Sequence, residues 1–355
     1  MAPVYLALRN DPRTRASLLA TAQHRQMLDQ VLSVFGITPD VDLDLMKPDQ
    51  SLADVAAGVV VNVQKALAKM KPDAVLVHGD TSTCLFSAIA AFYERIPVGH
   101  VEAGLRTYNY QAPWPEEMNR RLADPICRWC FAPTQAAADN LRSERVGAEN
   151  IFITGNTVID ALLLVRQMIR QRRPTVDGLP ESALDGRRLI LVTGHRRESF
   201  GKPFEEFCLA LRDIVGAHPD TVLVYPVHLN PNVQKPVHAI LGGQERIHLI
   251  RPIEYVPFVY LMDRSHLIIT DSGGVQEEAP SLGKPVLVTR EVTERPEAVQ
   301  AGLAQLVGTD RRVIVEATNR LLTDPKAYAA MARGENPYGD GRAAQRIVDI
   351  LSDTM

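Results

Sequence analysis

Uninterrupted apolar runs separated by amphipathic segments dominate the second half of the chain. The runs cover residues 189–193, 221–227, 246–250, 266–270 and 285–288. Helix-like segments, such as 203–218 and 257–264, lie between them. Apolar runs without polar alternation are typical of strands buried on both faces, as in a parallel sheet covered by helices on each side. The pattern therefore predicts a doubly wound α/β domain.

The first half repeats this alternation less regularly. Its strand-like runs cover residues 17–22, 74–80, 97–104 and 150–156. Residues 155–188 are polar and rich in turn formers, which predicts a boundary between two domains. Ligands of doubly wound sheets bind beyond the carboxyl ends of the strands, so we expect a site in the cleft between two Rossmann-like domains. The chain opens on a helix-like segment, so the first strand of such a domain is expected to be missing.

Composition and charge narrow the class of protein. A chain of 355 residues with 46% hydrophobic and 23% charged residues is typical of a globular protein of two domains. A formal net charge of −3 gives no reason to expect nucleic acid or an acidic membrane as a partner. No apolar run approaches the roughly 20 residues that span a bilayer, and the N-terminus lacks a signal-peptide layout. Cys127 and Cys130 are interpreted as core or near-surface residues rather than a zinc or redox pair. These features predict a cytoplasmic enzyme.

Polar, reactive side chains follow nearly every predicted strand. They are His78 and Asp80; His100, Glu102 and Arg106; His195, Arg196, Arg197 and Lys202; and His228 and Asn230. A single acidic residue at a strand end is often a helix cap, and a basic loop is often only solvated. Because so many converge on one edge, we expect a ligand site, and the arginines suit a phosphate.

The stretch "TDSGGVQEEAPSLGKP" (270–285) joins two predicted strands. Ser272, Gly273 and Gly274 can offer backbone N–H groups to a diphosphate at a helix start. One turn later, Glu278 or Glu277 can accept hydrogen bonds from a ribose, so we predict a nucleoside diphosphate ligand. An ion pair with Arg295 is the alternative role for one of the two glutamates. A Walker A loop is absent, and this glycine pair alone is a weak dinucleotide signal.

Glu116 and Glu117 open a predicted helix behind two prolines and a tryptophan. Acidic residues are favoured at a helix start, so capping alone would explain them. Together with Asp80 and Glu102, however, they place three carboxylate sites in the first domain. Carboxylates that share a cleft raise one another's pKa, which suits acid/base chemistry near neutral pH.

The motifs "HGDT", "GHVEAGLRT", "PWPEEMNR", "FITGNTVIDALL", "VTGHRRESFG", "YPVHLNPNV", "TDSGGVQEEAPSLGKPVLV", "TERPEAV" and "NPYGDG" run in order along the chain. Together they resemble the non-hydrolysing UDP-N-acetylglucosamine 2-epimerases. The resemblance implies interconversion of UDP-GlcNAc and UDP-ManNAc in a GT-B-like fold without NAD or metal, by a homodimer. It also implies that the product supplies bacterial surface polysaccharides. The last helix would cross back to the first domain, which gives domains of 1–155 plus 342–355 and 156–341.

The resemblance also assigns roles by position. Asp80, Glu102 and Glu116 match the catalytic carboxylates of the family, and His195 matches its catalytic or phosphate-contacting histidine. Ser272, Gly273, Gly274, Glu278 and Arg295 match its UDP-binding positions, to which we add Arg106, Arg196 and His228 from the strand ends. Gln23, His24, Arg25 and Gln50 resemble the segments that bind a second, allosteric UDP-GlcNAc; helix capping is the alternative for the first three.

One departure and three alternatives accompany this interpretation. Family members begin with a strand and a "GTRPE-IK" loop whose Arg and Lys lie at the substrate, and here the chain starts after it. The alternatives are a glycosyltransferase of the same fold, a hydrolysing epimerase that releases free ManNAc, and a catalytically impaired protein that only binds a UDP-sugar.

Overall fold

A computed structural model describes residues 1–22, 25–45, 47 and 49–355. It divides into two compact units. The first comprises Met1–Ala161 and Tyr338–Met355, and the second comprises Leu162–Pro337. Within the described ranges, no helix has the length and apolar character needed to cross a membrane.

In the first unit, short strands alternate with helices. Its elements are α1 (Ala2–Asn10), β1 (Leu19–Ala20), α2 (Arg25–Phe35), β2 (Val41–Asp42), α3 (Leu52–Met70), β3 (Val75–His78), α4 (Ser82–Tyr93), β4 (Val98–Val101), α5 (Glu116–Ala123), β5 (Trp129–Ala132), α6 (Gln135–Ser143), β6 (Ile151–Ile153) and α7 (Thr157–Gln171), which continues into the second unit. Strands β3, β4, β5 and β6 form a parallel sheet in that order, and β1 pairs with β2 in a separate parallel ladder. The carboxyl ends of β3 to β6 therefore lie along one edge.

The second unit is built on a larger parallel sheet. Its elements are β7 (Arg188–Thr193), α8 (Lys202–Ala217), β8 (Thr221–Pro226), α9 (Pro231–Leu241), β9 (Ile247–Ile250), α10 (Tyr255–Arg264), β10 (Ser265–Thr270), α11 (Gly273–Ser281), β11 (Val286–Val288), α12 (Pro296–Gln300), β12 (Ala304–Leu306), α13 (Arg311–Thr323) and α14 (Pro325–Ala332); α15 (Ala343–Thr354) follows in the first unit. The six strands lie in the order β12-β11-β10-β7-β8-β9. The chain thus builds outward from β7 in one direction and returns to its other side at β10. The switch point where doubly wound sheets bind ligands lies between β7 and β10.

The apolar side chains of the predicted strands pack against the helices that cover each sheet. In the second unit, Ile190, Leu223 and Ile269 from the strands pack with Phe207 and Leu211 from α8, all 2% exposed or less. In the first unit the core includes the free cysteines, among them Cys127 and Cys130, which are buried as predicted. In both units the apolar residues lie within the strands, and the polar residues follow the strand ends.

The predicted fold class is confirmed, and the differences concern short strands. The run 17–22 contains only the two-residue strand β1, and β2 and β12 were not predicted. Their two- and three-residue lengths give too few positions for a periodic pattern. β2 pairs with β1, and β12 pairs with the free edge of β11, so backbone hydrogen bonds rather than a sequence pattern define these strands.

Candidate active site

Two loops meet at the switch point of the second unit. Asp271, directly after β10, accepts hydrogen bonds through Oδ2 from the backbone N–H groups of His195 (2.6 Å) and Arg196 (2.7 Å), which follow β7. The hydroxyl of Tyr225 donates to the carbonyl of Gly194 at 2.6 Å, from the third neighbouring strand. The loop that carries His195 and Arg196 is therefore held from both sides.

The imidazole of His195 is the exposed side chain at the start of this loop. Its side chain is 43% exposed, and its ring stacks on that of His228 with centroids 5.3 Å apart and an angle of 13°. Nδ1 of His195 lies 3.4 Å from Oδ1 of Asp271. Nδ1 of His228 accepts from the backbone N–H of Asn230 at 3.1 Å. The structure thus brings together three of the predicted polar strand ends.

The first turn of α11 has no side-chain cap and has free space beside its two glycines. Ser272 occupies the N-cap position without a side-chain cap, and its own N–H donates to Oγ1 of Thr270 at 2.9 Å. A Cβ added at Gly273 would meet nothing within 4 Å, and one at Gly274 would meet only Oγ of Ser272 at 4.0 Å. Neither glycine has the positive φ that would explain its choice. The first-turn N–H groups of a helix lack intrahelical partners, so this open end suits an anion.

The two adjacent glutamates of α11 have different partners. Glu277 forms the ion pair with Arg295 that was the alternative to a ribose contact. Glu278 accepts a hydrogen bond from the hydroxyl of Tyr255 and is 6% exposed. Burial raises the pKa of Glu278 to about 7; the charge of Glu277 adds to this effect, and the Tyr255 hydrogen bond opposes it. Glu278 is the glutamate suited to bind a sugar hydroxyl.

In the first unit, hydrogen bonds connect the segments that carry the predicted carboxylates. The carboxylate of Asp80, after β3, pairs with Arg120. Nδ2 of Asn119 donates to the backbone carbonyl oxygen of Asp80 at 2.8 Å. Glu102, after β4, has a left-handed φ of 69° and lies 3.0 Å from Nε2 of His78. The contacts from α5 to Asp80 and from β3 to Glu102 join all three segments.

The paired glutamates at the start of α5 also divide their roles. Glu117 is fully buried and accepts from the backbone N–H groups of Thr107 and Tyr108, both at 3.0 Å. It therefore fixes the preceding loop. Glu116 makes no hydrogen bond or ion pair with any part of the chain that the structure describes, which leaves its carboxylate available to a ligand.

A buried charged network lies behind these carboxylates. Nδ1 of His100 contacts Oδ1 of Asp124 at 2.6 Å, and Nε2 contacts the carbonyl of Gly79 at 2.7 Å. The guanidinium of Arg106 donates to Asp124 (2.6 Å) and Glu144 (2.7 Å) and has no exposed surface. The predicted contact of Arg106 with substrate is not supported by this arrangement, because both carboxylates hold the guanidinium in the interior.

His100 adds a second positive charge to this network, beside that of Arg106. Both ring nitrogens face acceptors, which requires a proton on each. Burial disfavours the charged ring, yet the side chains of Cys84 and Asp124 raise the pKa of His100 well above its ordinary value. The charged ring therefore holds the carbonyl next to Asp80.

The predicted allosteric residues are only partly described. Gln23 and His24 lie outside the described residues. Arg25 pairs with Asp42 (2.6 Å) and Asp44 (2.7 Å), and Oε1 of Gln50 accepts from the backbone N–H of Lys47 at 2.7 Å. Asp44 and Gln50 both line a cavity of about 650 Å³. Among the described residues, no group of His, Cys, Asp or Glu side chains is arranged to hold a metal ion.

Comparison with known proteins decides the family. A sequence model described as UDP-N-acetylglucosamine 2-epimerase matches residues 6–352. The chain belongs to the UDP-N-acetylglucosamine 2-epimerase family. It is therefore an isomerase with the two-domain, GT-B-like fold that the sequence predicted.

Relatives of this epimerase-family chain match it over nearly its full length. It is 55% identical over 357 residues to the UDP-N-acetylglucosamine 2-epimerase of Escherichia coli (strain K12), covering 99% of this chain and 95% of that protein. The Neisseria meningitidis enzyme bound to UDP-GlcNAc aligns with a TM-score of 0.87 and 47% identity, covering 100% of this chain and 96% of that one. The Methanocaldococcus jannaschii enzyme in complex with UDP-GlcNAc and UDP aligns with a TM-score of 0.75 and 30% identity, covering 99% and 95%.

Four residues that contact the predicted site residues, two in each unit, were not predicted from the sequence of the epimerase-family chain. They are Asn119, Arg120, Tyr255 and Asp271. Asn119 and Arg120 stand in the same quoted motif as Glu116, and Asp271 stands beside Ser272. Their position within the motifs was a usable signal. For Tyr255, which lies 23 residues before Glu278, no comparable signal exists.

Proposed function

We propose that this protein interconverts UDP-GlcNAc and UDP-ManNAc without releasing free sugar. The relatives named as epimerases and the neighbours bound to UDP-GlcNAc or UDP support this substrate. The same proposal includes a homodimer in the cytoplasm that supplies ManNAc units for surface polysaccharide. It also includes turnover without NAD or metal.

The observation that carries the nucleotide assignment is the open helix start at Gly273 and Gly274, beside the loop held by Asp271. We assign the diphosphate to the first-turn N–H groups and to His195 and Arg196, because oriented N–H dipoles and cationic side chains stabilise phosphate charge. His228 stacks on the His195 ring and is assigned to the same side of the diphosphate.

The ribose is assigned to Glu278, one turn into α11. A carboxylate at this position can accept hydrogen bonds from both ribose hydroxyls without meeting the diphosphate. Arg295 keeps its place in the proposal indirectly, because its ion pair holds Glu277 next to the sugar-binding carboxylate. The glycine turn and Glu278 therefore bind different parts of one nucleotide, the diphosphate and the ribose.

The sugar chemistry is assigned to Asp80, Glu102 and Glu116. The hydrogen on carbon-2 is not acidic, so direct deprotonation is implausible. One carboxylate removes this hydrogen as the bond from carbon-1 to UDP breaks, which gives 2-acetamidoglucal and UDP. Another acid then delivers a proton to carbon-2 from the opposite face as UDP returns to carbon-1. Cationic groups at the diphosphate stabilise the departing charge.

Incubation with UDP-GlcNAc alone tests this proposal. The expected result is an equilibrium mixture with UDP-ManNAc and no acceptor requirement. Free ManNAc would indicate a hydrolysing epimerase. Unchanged UDP-GlcNAc despite binding of UDP would indicate a transferase that lacks its acceptor, or a protein that only binds the nucleotide.

We also propose that Gln50 and the segment 23–25 bind a second UDP-GlcNAc that activates the enzyme. The cavity that Gln50 and Asp44 line supports this proposal, since Arg25 holds Asp44 at its wall. Sigmoidal dependence of rate on UDP-GlcNAc, and no reverse reaction from UDP-ManNAc until UDP-GlcNAc is added, are expected. Hyperbolic kinetics in both directions would contradict it.

A further inference from the structure

Asp271 has one carboxylate oxygen whose role the proposed function leaves unexplained. The residue is 2% exposed, and Oδ2 already accepts two backbone N–H groups. Oδ1 is buried and has no hydrogen-bond partner among the described residues. A buried, ionised oxygen without a partner is costly, so its retention calls for a group that completes it.

The nearest candidate is Nδ1 of His195, which lies 3.4 Å from Oδ1 of Asp271. The backbone N–H of His195 is bound to the other oxygen of the same carboxylate, so the base of the side chain is fixed. A small rotation of the ring would bring Nδ1–H into hydrogen-bond range. Catalytic hydrogen bonds are often long in ligand-free structures and shorten when the ligand binds.

The neighbouring ionisable groups do not compete for this oxygen. The hydroxyl of Tyr225 is used by the carbonyl of Gly194, at 2.6 Å. Nδ1 of His228 accepts a hydrogen bond from Asn230, and its ring lies against the face of His195 rather than its edge. Arg196 contributes its backbone N–H to Oδ2.

We propose that Asp271 is a positioning residue that binds Nδ1–H of His195 and so directs Nε2 to the diphosphate. This inference rests on the proposed function, which places His195 at the leaving group. A carboxylate behind the ring fixes the tautomer and stabilises the imidazolium, as outer partners of histidine do elsewhere. The charged ring then donates Nε2–H to the departing UDP, and such charge-assisted bonds are stronger than neutral ones.

The tautomer of His195 in the UDP complex tests this directly. Protein labelled with ¹⁵N-histidine is examined by NMR at a pH where free imidazole is neutral, and the His195 signals are assigned by their loss in His195→Gln. We expect a proton on Nδ1, in the charged ring as well as in the neutral one. A neutral ring whose only proton is on Nε2 would overturn the proposal, and this measurement needs neither turnover nor a variant of Asp271.

Asp271→Asn provides the second test. The amide oxygen keeps the two backbone N–H groups, whereas its NH₂ faces Nδ1 and forces the proton of His195 onto Nε2. We expect this tautomer change and a fall in kcat of about 10- to 100-fold, the range known for carboxylate partners of metal-bound histidines, with KM changed less. An unchanged tautomer, or a fall in kcat that is fully explained by a smaller fraction of folded protein, would overturn the proposal.

Asp160→Asn is the matched control. Asp160 is 6% exposed and also accepts two backbone N–H groups, from Ala344 (2.8 Å) and Ala343 (3.2 Å), without a histidine among its described partners. It should lower Tm comparably and leave the His195 tautomer and kcat unchanged. If the protein proves not to epimerise UDP-GlcNAc, the proposed function fails while the tautomer result still decides the role of Asp271. A neutral His195 protonated only on Nε2, together with normal epimerisation, would refute the role of Asp271 and leave the proposed function intact.

Discussion

Binding of UDP should depend on pH through Glu278. Burial holds the pKa of this carboxyl at about 7 in the free protein, compared with 4.5 for the ordinary group. Ribose hydroxyls donate to the ionised form, so the carboxyl must lose its proton before it binds. Because the pKa is raised, the binding-competent form is present above pH 7 and is lost as pH falls through that value.

The size of the effect follows from this pKa. At pH 6 about one molecule in eleven is ionised, so UDP should bind about 10-fold more weakly than at pH 8, or about 1.4 kcal/mol. In Glu278→Gln the charged acceptor is gone at every pH. A hydrogen bond to a charged group contributes about 1.5–3 kcal/mol, which predicts about 10- to 100-fold weaker binding at pH 8. At pH 6 the difference between the two proteins should therefore be about tenfold smaller.

Calorimetric titration with UDP from pH 5.5 to 8.5 measures this difference. The ratio of the Kd values of variant and wild type is the useful quantity, because ionisation of UDP and of the histidines affects both proteins alike. Tyr255→Phe should move the midpoint to higher pH, since the Tyr255 hydroxyl lowers the pKa of Glu278. Tyr328→Phe, which removes a hydroxyl bonded to the His266 carbonyl, is the control. A ratio that does not change with pH would refute the placement of ribose at Glu278.

Three further predictions concern other parts of the site. Glu116→Gln should lower kcat about 100-fold or more at unchanged Tm. Glu117→Gln, which places an NH₂ group against one of the two backbone N–H groups that Glu117 binds, should instead lower the free energy of unfolding by about 1–3 kcal/mol in urea titrations. The reverse pattern would contradict their assignment. Gly274→Ala should raise the Kd for UDP at least about tenfold without lowering Tm, because its Cβ meets open space where the diphosphate is placed; unchanged affinity would place the diphosphate elsewhere. The stability lost in His100→Gln should be largest below about pH 6.5 and shrink as pH rises through the raised pKa, since His100 forms an ion pair with Asp124 only while its ring is charged; a loss independent of pH would show that charge is not involved.

The strand ends of the site were predictable because their signal is local. An apolar run followed at once by Asp80, by Glu102 or by the pair His195 and Arg196 marks the carboxyl end of a buried strand. In a parallel sheet all such ends lie on one edge, so no long-range information is needed to group them. The glycines before Glu278 were equally visible.

The division of roles between like residues was not predictable. Glu116 and Glu117, or Glu277 and Glu278, are chemically alike, and only their partners distinguish them. Those partners, such as the Thr107 N–H group for Glu117, are set by tertiary packing. The environment of Arg106 was not predictable for the same reason: its position after a strand suggested a contact with a ligand, and its guanidinium pairs with a carboxylate 18 residues away. Sequence position gives the edge of the sheet, whereas packing decides which side chain remains available.

The most direct test of the account is proton NMR of UDP-GlcNAc incubated with the protein in deuterated water. UDP-ManNAc should appear, and both epimers should acquire deuterium at carbon-2, because the proton removed by one carboxylate is replaced by another from exchangeable acid. Prolonged incubation should also release traces of UDP and 2-acetamidoglucal. UDP-ManNAc that retains the original hydrogen at carbon-2, or UDP-GlcNAc that stays unchanged, would contradict it.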